Sequence, residues 1–262
     1  MVRSKRTERL FGKFAKKHRE FVGEVQGNEV LELKNSSMMD VVNGSAAFTG
    51  TSHDLDDLKV RVPVDRPSKI ICIGLNYRSH IKEMKWEMPK KPIIFTKPSS
   101  AIIGPRDSII IPRMSTRVDF EGESALVIGR KASQVKDGSG YIFGYTCFND
   151  VTARDLQKAD VDWTRAKGFD TFAPLGPFIS TKCPARILTR LNGEVVQEAP
   201  LADRVFDDVA LVEYVSSVMT LEPGDIIATG TPSGIAPLKA GDLVEVELDT
   251  VGTLTNQVVK SP

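Results

Sequence analysis

Apolar residues along this chain gather in short runs closed off by Pro and Gly, and only a few stretches repeat at helical spacing. "KIICIGLNY" (69–77) is apolar almost without a break and rich in β-branched residues, which predicts a strand covered on both faces. "PIIFTKPSSAIIGP", "DSIIIP", "SALVIGR" and "YIFGYTCFND" are further pieces of this kind. "EFVGEVQGNEVLEL" (20–33) reads as strand, Gln-Gly-Asn turn and strand, so the N-terminal region is expected to form a small β-meander. "VRVPVDRPSK" (60–69), with Pro63 and Pro67, is the best linker candidate. Helical composition appears in "RSHIKEMKWEM", stopping at Pro89, and in "VTARDLQKAD", capped by Asn149 or Asp150. From Leu221 onward strand and turn alternate, broken by Pro-Gly and Ala-Gly-Asp turns. Many short strands with few helices predict a mixed α/β, β-rich fold and not a doubly wound sheet. The division expected is a small N-terminal β-rich domain, 1–66, and a larger catalytic domain, 67–262.

Composition narrows the function classes. The 262 residues, 41% hydrophobic and 26% charged, are ordinary for a globular chain with a sizeable core. A formal net charge of +1 argues against nucleic acid as a global partner. The basic stretch "MVRSKRTERLFGKFAKKHREF" is interrupted by Glu8 and Glu20, has no apolar core for secretion, and reads as a solvated face. No apolar stretch approaches the roughly 20 residues a membrane span needs. Cys72, Cys147 and Cys183 are widely separated, as expected of a reduced, cytoplasmic protein. His18, His53 and His80 show no metal-ligand spacing, so a His- or Cys-built zinc site is not expected.

The chemistry begins in "RVDFEGESALVIGR" (117–130), where Asp119, Glu121 and Glu123 alternate just before an apolar run. On a strand they share one face, roughly 6–7 Å apart, where like charges repel. Taken alone this is a solvated face; as a site it would hold a hard divalent cation on Glu121 and Glu123, with Gly122 leaving room for close approach. Asp150, at a strand end, is a candidate third oxygen ligand, and otherwise a helix cap. His80 and Glu83, three apart on a predicted helix, have the spacing of a carboxylate-oriented general base, although such pairs are also common on helix surfaces. Lys97 and Lys167 lie among apolar and aromatic neighbours, where either could meet a substrate carboxylate or steady an oxyanion. "TGTPSG" (229–234) lacks the spacing and lysine of a phosphate loop, but such a turn can present the Thr231 hydroxyl and backbone N–H groups to an anion.

Together, "KIICIGLNYRSHIKEM", "PIIFTKPSS", "VDFEGESALVIGRKA", "GYTCFNDVTARDLQ", "AKGFDTFAPLGPFI", "LNGEVVQ" and "LEPGDIIATGTPSGIAP" resemble the fumarylacetoacetate hydrolase family, in that family's order over most of 69–262. The resemblance implies a catalytic domain of intertwined β-sheets, a homodimer, and a Mg²⁺ or Mn²⁺ site that Ca²⁺ could fill without catalysis. Carried over by position, it makes Glu121, Glu123 and Asp150 the metal ligands and Lys167 the active-site lysine. It also implies that the segment carrying the His80–Glu83 dyad closes over the substrate like a lid. Asn76, Lys97, Gln157 and Thr231 fall where substrate contacts are expected. Ser124 and Gly168 depart from the family's usual Leu and Ser, which bears on the shape of the pocket.

The implied substrate is a small 2-oxo acid. In an acylpyruvate, breaking C3–C4 leaves the electron pair on C3 as a pyruvate enolate, for which the cation is a Lewis-acid sink. Hydrolysis is the expected reaction, with His80 activating water and Lys167 steadying the developing charge. The same site would also serve an oxaloacetate decarboxylase, a 2-hydroxyhepta-2,4-diene-1,7-dioate isomerase or a 2-keto-3-deoxy sugar acid dehydratase. A catalytically silent relative that binds metal and a small acid is the alternative of another class.

Overall fold

The computed structural model describes residues 8–34 and 37–262, so the start of the basic N-terminal stretch lies outside the described residues. At its centre strand Gly122–Ile128 lies between Ile142–Asn149 and Ile226–Ala228, antiparallel to both. Ile70–Gly74 runs parallel to Ile226–Ala228, with Ile93–Lys97 outside it. Side chains alternate across this sheet. Ile71, Ile73, Leu126, Ile128 and Ile227 enter one core, and Ile70, Cys72, Ala125, Val127 and Ile226 enter another. Both faces are therefore covered, which is why these runs are apolar without alternation. Each buried aliphatic side chain contributes about 1.5–3 kcal/mol, and a one-residue slip would exchange the two sets.

The first core is closed by a second sheet and by helix Asp208–Val218. That sheet runs in the order Glu194–Pro200, Arg186–Leu191, Leu243–Leu248, Gly252–Lys260, Ile109–Ile111. The helix starts at Asp207, whose side chain accepts from the Ala210 N–H. The predicted N-terminal meander is present as Leu10–Lys16, Arg19–Gln26, Glu29–Leu33 and Phe48–Asp54. Its first strand pairs with Ala173–Ser180, so it extends the central sheet. Lys59–Arg61, at the head of the linker candidate, folds back onto Leu10–Lys16.

Three local expectations are corrected. The helix expected to run to Pro89 spans Arg78–Met84 and stops at Lys85, which takes a left-handed conformation (φ 56°). Neither Asn149 nor Asp150 caps helix Arg154–Ala159, because the short strand Thr152–Ala153 intervenes and Ala153 holds the cap position. The acidic strand is not continuous. Val118–Asp119 pairs with Thr152–Ala153, the chain breaks at Phe120 and Glu121, and Gly122–Ile128 then joins the central sheet. At the break the Glu121 N–H donates to Asn149 Oδ1 (3.0 Å) and the Asp150 N–H to the Glu121 carbonyl (2.8 Å), which fixes one acid beside the other.

Candidate active site

Glu121, Glu123 and Asp150 converge at this break. Each offers a carboxylate oxygen within 4.8 Å of the others'. They are not a solvated face: Glu121 is 6% exposed, Glu123 2%, and Asp150 and Asp119 0%. Burying that much like charge is costly unless each group is paired, and the surrounding cations show how most of it is met. Lys167 Nζ donates to Glu121 Oε2 (3.0 Å) and Asp150 Oδ2 (2.6 Å). Lys97 Nζ donates to Asp150 Oδ1 (2.5 Å) and the Val151 carbonyl (2.9 Å). Arg154 spans three partners: Nη2 reaches Glu121 Oε1, Nη1 donates to Gln157 Oε1 (2.6 Å), and Nε donates to Asp119 Oδ2 (2.9 Å). Arg117 closes the far side of Asp119 (2.9 Å). Asp119 therefore anchors the arginine that steadies Glu121 and takes no place in the carboxylate cluster.

The three acids differ electrically. Burial works against the charge on Glu121, but Lys167 and Arg154 outweigh it and hold the carboxyl below the usual range. Burial drives Glu123 well above that range, Asp150 and Glu121 add to the rise, and the Gly230 N–H (2.8 Å) offsets only part of it. Among the described residues no Lys, Arg or His lies within ion-pair distance of Glu123. Burial lowers the Lys97 ammonium despite Asp150, whereas for Lys167 the attraction of Asp150 and Glu121 overcomes burial and raises it.

The two side chains three apart on the helix meet: His80 Nδ1 lies 2.9 Å from Glu83 Oε2. An ionised carboxylate only accepts, so in the neutral ring Nδ1 carries the proton and Nε2 keeps the lone pair. The other oxygen of Glu83 accepts from the Gly234 N–H (3.0 Å). The 229–234 turn does present N–H groups to anions, but those anions are the protein's own Glu123 and Glu83. Gly230 (φ +96°) and Gly234 (φ +103°) adopt backbone that only glycine takes readily. A Cβ on Gly234 would lie 2.0 Å from the Val196 carbonyl oxygen.

A cavity of about 280 Å³ opens onto His80, Glu121, Glu123, Asp150, Arg154, Gln157, Lys167 and Thr231. Of the expected substrate contacts, Gln157 and Thr231 line it, and Thr231 Oγ1 accepts from Gln197 Nε2 (2.8 Å). Asn76 and Lys97 do not. The Asn76 side chain is spent on the Thr229 and Phe206 carbonyls (2.8 and 3.1 Å), and Lys97 lies behind Asp150. Ser124 and Gly168 also lie off this cavity. The space at Gly122 serves the second sheet and not a ligand, since a Cβ there would meet Thr189 Oγ1 at 2.1 Å. Sequence reasoning missed Arg154, visible only as a buried arginine one turn before Gln157, and the cavity tryptophans, Trp86 and Trp163.

The donor set fits a divalent cation: three buried carboxylates and no histidine or thiolate ligand, with one acid lacking any countercharge of its own. Such a set suits Mg²⁺ or Mn²⁺. Comparison with known proteins falls on the same ground. The profile of the fumarylacetoacetate (FAA) hydrolase C-terminal region matches residues 69–259, which hold every group described above, and the chain belongs to that family. Among its relatives is the oxaloacetate tautomerase Fahd2a, mitochondrial, of Rattus norvegicus, 45% identical over 75% of this chain and 68% of that one. The 2-hydroxyhepta-2,4-diene-1,7-dioate isomerase of Mycobacterium marinum superposes with a TM-score of 0.86 at 40% identity, over 97% of this chain and 99% of that one. The maleylpyruvate hydrolase of Sphingobium sp. SYK-6, solved with manganese(II) and pyruvate, gives a TM-score of 0.80 at 29% identity, over 97% and 100%.

Proposed function

We propose that the protein is a divalent-cation-dependent hydrolase that cleaves the C–C bond of acylpyruvate-type 2,4-dioxo acids. The observation that carries this reading is a Glu83-oriented His80 opening onto the same cavity as the carboxylate triad and Lys167. Glu121, Glu123 and Asp150 would hold the cation, which when bound supplies Lewis-acid stabilisation of negative charge on the 2-oxo oxygen.

His80 Nε2 takes a proton from water as the water oxygen attacks C4. Lys167 spends two of its three N–H groups on Glu121 and Asp150, and the third is left to steady the oxyanion at C4. The C3–C4 bond then breaks, its electron pair goes to C3, and His80 Nε2–H returns the proton there. The products are a carboxylic acid and pyruvate, and atoms balance with one water consumed. Arg154 keeps Glu121 and Gln157 in place throughout.

A second reading rests on the 45% identity to the rat oxaloacetate tautomerase. His80 Nε2 would then move a proton between C3 and the enol oxygen, with no water attacking. Acetylpyruvate and oxaloacetate, each incubated with and without Mg²⁺, separate the two. The hydrolase reading expects Mg²⁺-dependent release of acetate and pyruvate from acetylpyruvate, abolished in His80→Ala. No cleavage of acetylpyruvate, with rapid enol–keto exchange of oxaloacetate, overturns it in favour of the second.

A further inference from the structure

The floor of the cavity is charged, but its walls are mainly apolar. Ile73, Met84, Trp86, Phe95 and Trp163 form them, and the chain has no tryptophan besides these two. Trp163 packs edge-on against Phe95 with centroids 5.1 Å apart. It also occupies the space a side chain at Gly74 would take, where a Cβ would lie 3.3 Å from the indole. Trp86 leaves 53% of its surface exposed, an unusual position for so large a ring.

Both rings are mounted on the catalytic elements. The Trp163 carbonyl accepts from the Lys167 N–H (3.0 Å), and the Trp86 N–H donates to Ile81 (3.1 Å) just past the helix that carries His80. Among the described residues the one lining cation without an ion-pair partner is Lys158, which is exposed. The cations on the floor, Arg154 and Lys167, are already committed to protein carboxylates.

We infer that the substrate is a 2-oxo acid whose distal group is apolar, an alkyl or aryl acyl chain held between Trp86 and Trp163. This rests on the proposed 2-oxo acid chemistry for the charged end and extends it to the other. A distal carboxylate entering these walls would lose its water without a buried partner in return. An alkyl or aryl group buries apolar surface on rings left open to receive it.

With only two tryptophans, both in the cavity, intrinsic fluorescence reads occupancy without turnover. The full chain with Mg²⁺ is titrated with pyruvate, 2-oxobutanoate, 2-oxopentanoate, 2-oxohexanoate and the dicarboxylate 2-oxoglutarate. Affinity is expected to rise by about fourfold per added methylene, with 2-oxoglutarate weaker than 2-oxopentanoate. Trp163→Ala is expected to flatten the series by about tenfold or more at the long end, while pyruvate affinity holds. Binding that ignores chain length overturns the inference. So does tighter binding of 2-oxoglutarate that is lost in Lys158→Ala. If the series holds but no acylpyruvate is cleaved, the apolar subsite stands and the hydrolase reading fails.

Discussion

Glu83→Gln tests the base more sharply than removing His80. Glu83 meets two donors, the His80 Nδ1–H on Oε2 and the Gly234 N–H on Oε1. A carboxylate accepts both; an amide has only one oxygen. If the amide oxygen faces His80, its NH₂ opposes the Gly234 N–H. If the amide turns over, its NH₂ faces Nδ1, the imidazole shifts its proton to Nε2, and no lone pair is left to take a proton from water. Glu83 is 35% exposed, so water can relieve part of the mismatch, and the stability cost belongs at the low end of the range for an unmet donor, about 1 kcal/mol. The kinetic cost is larger. General-base catalysis contributes 10²–10⁴-fold, and a misoriented or wrongly protonated imidazole should forfeit most of it, at least about 100-fold in kcat. Acylpyruvate hydrolysis is followed by loss of substrate absorbance, alongside a Mn²⁺ titration and thermal unfolding. The expected result is a collapsed kcat, unchanged Mn²⁺ affinity and a small drop in Tm. A variant within threefold of the wild-type kcat would show that Glu83 does not set the tautomer of His80.

Three further outcomes follow from the same geometry. Lys97→Met leaves the fully buried Asp150 with one lysine in place of two, which should cost about 3–5 kcal/mol in denaturant unfolding; a loss under 1 kcal/mol would mean the pair is not buried as described. Mg²⁺ or Mn²⁺ at about a hundred times Kd should stabilise the fold by about 2.7 kcal/mol, read as a Tm rise of about 5–10 °C. Glu123→Ala should abolish that rise, and its persistence would remove Glu123 from the ligand set. Burial pushes the Asp155 carboxyl up, but hydrogen bonds from Ser115, Thr116 and Leu156 outweigh it and hold it below its ordinary range. A depressed folded value contributes stability above the unfolded value near 3.9, lost as pH falls through the folded one. Asp155→Ala should therefore cost about 1–3 kcal/mol at pH 7, with the gap to wild type narrowing below about pH 4; a gap that widens in acid contradicts the assignment.

How far the chain could be read in advance depended on the distance over which each residue acts. Glu121 and Glu123 are two apart, but alone they read as a solvated face, and it was the family resemblance that joined them to Asp150, just past the end of the neighbouring strand. His80 and Glu83 needed only a helical turn. The break at Phe120 and Glu121 was hidden, because it depends on the Asn149 side chain replacing a ladder partner. The role of Asp119 was hidden for a similar reason: one of its partners, Arg154, lies 35 residues on, in a segment read only as helix. The resemblance makes Lys97 a substrate contact, and a lysine among apolar neighbours suits that role equally well. Only the tertiary packing shows that it reaches Asp150 from behind. The tryptophans gave no periodic signal at all, since each sits just outside a helix, where no pattern assigns a direction.

The turn at 229–234 carries a mechanical implication. One N–H, from Gly230, holds Glu123 of the carboxylate cluster; another, from Gly234, holds Glu83, which also meets the His80 imidazole. This short piece of main chain thus acts as a spacer bar between the two working ends of the site. Lengthening it by a residue would move His80 relative to the carboxylate cluster without touching either, and at Gly230 and Gly234 an added side chain would be as disruptive as an added residue.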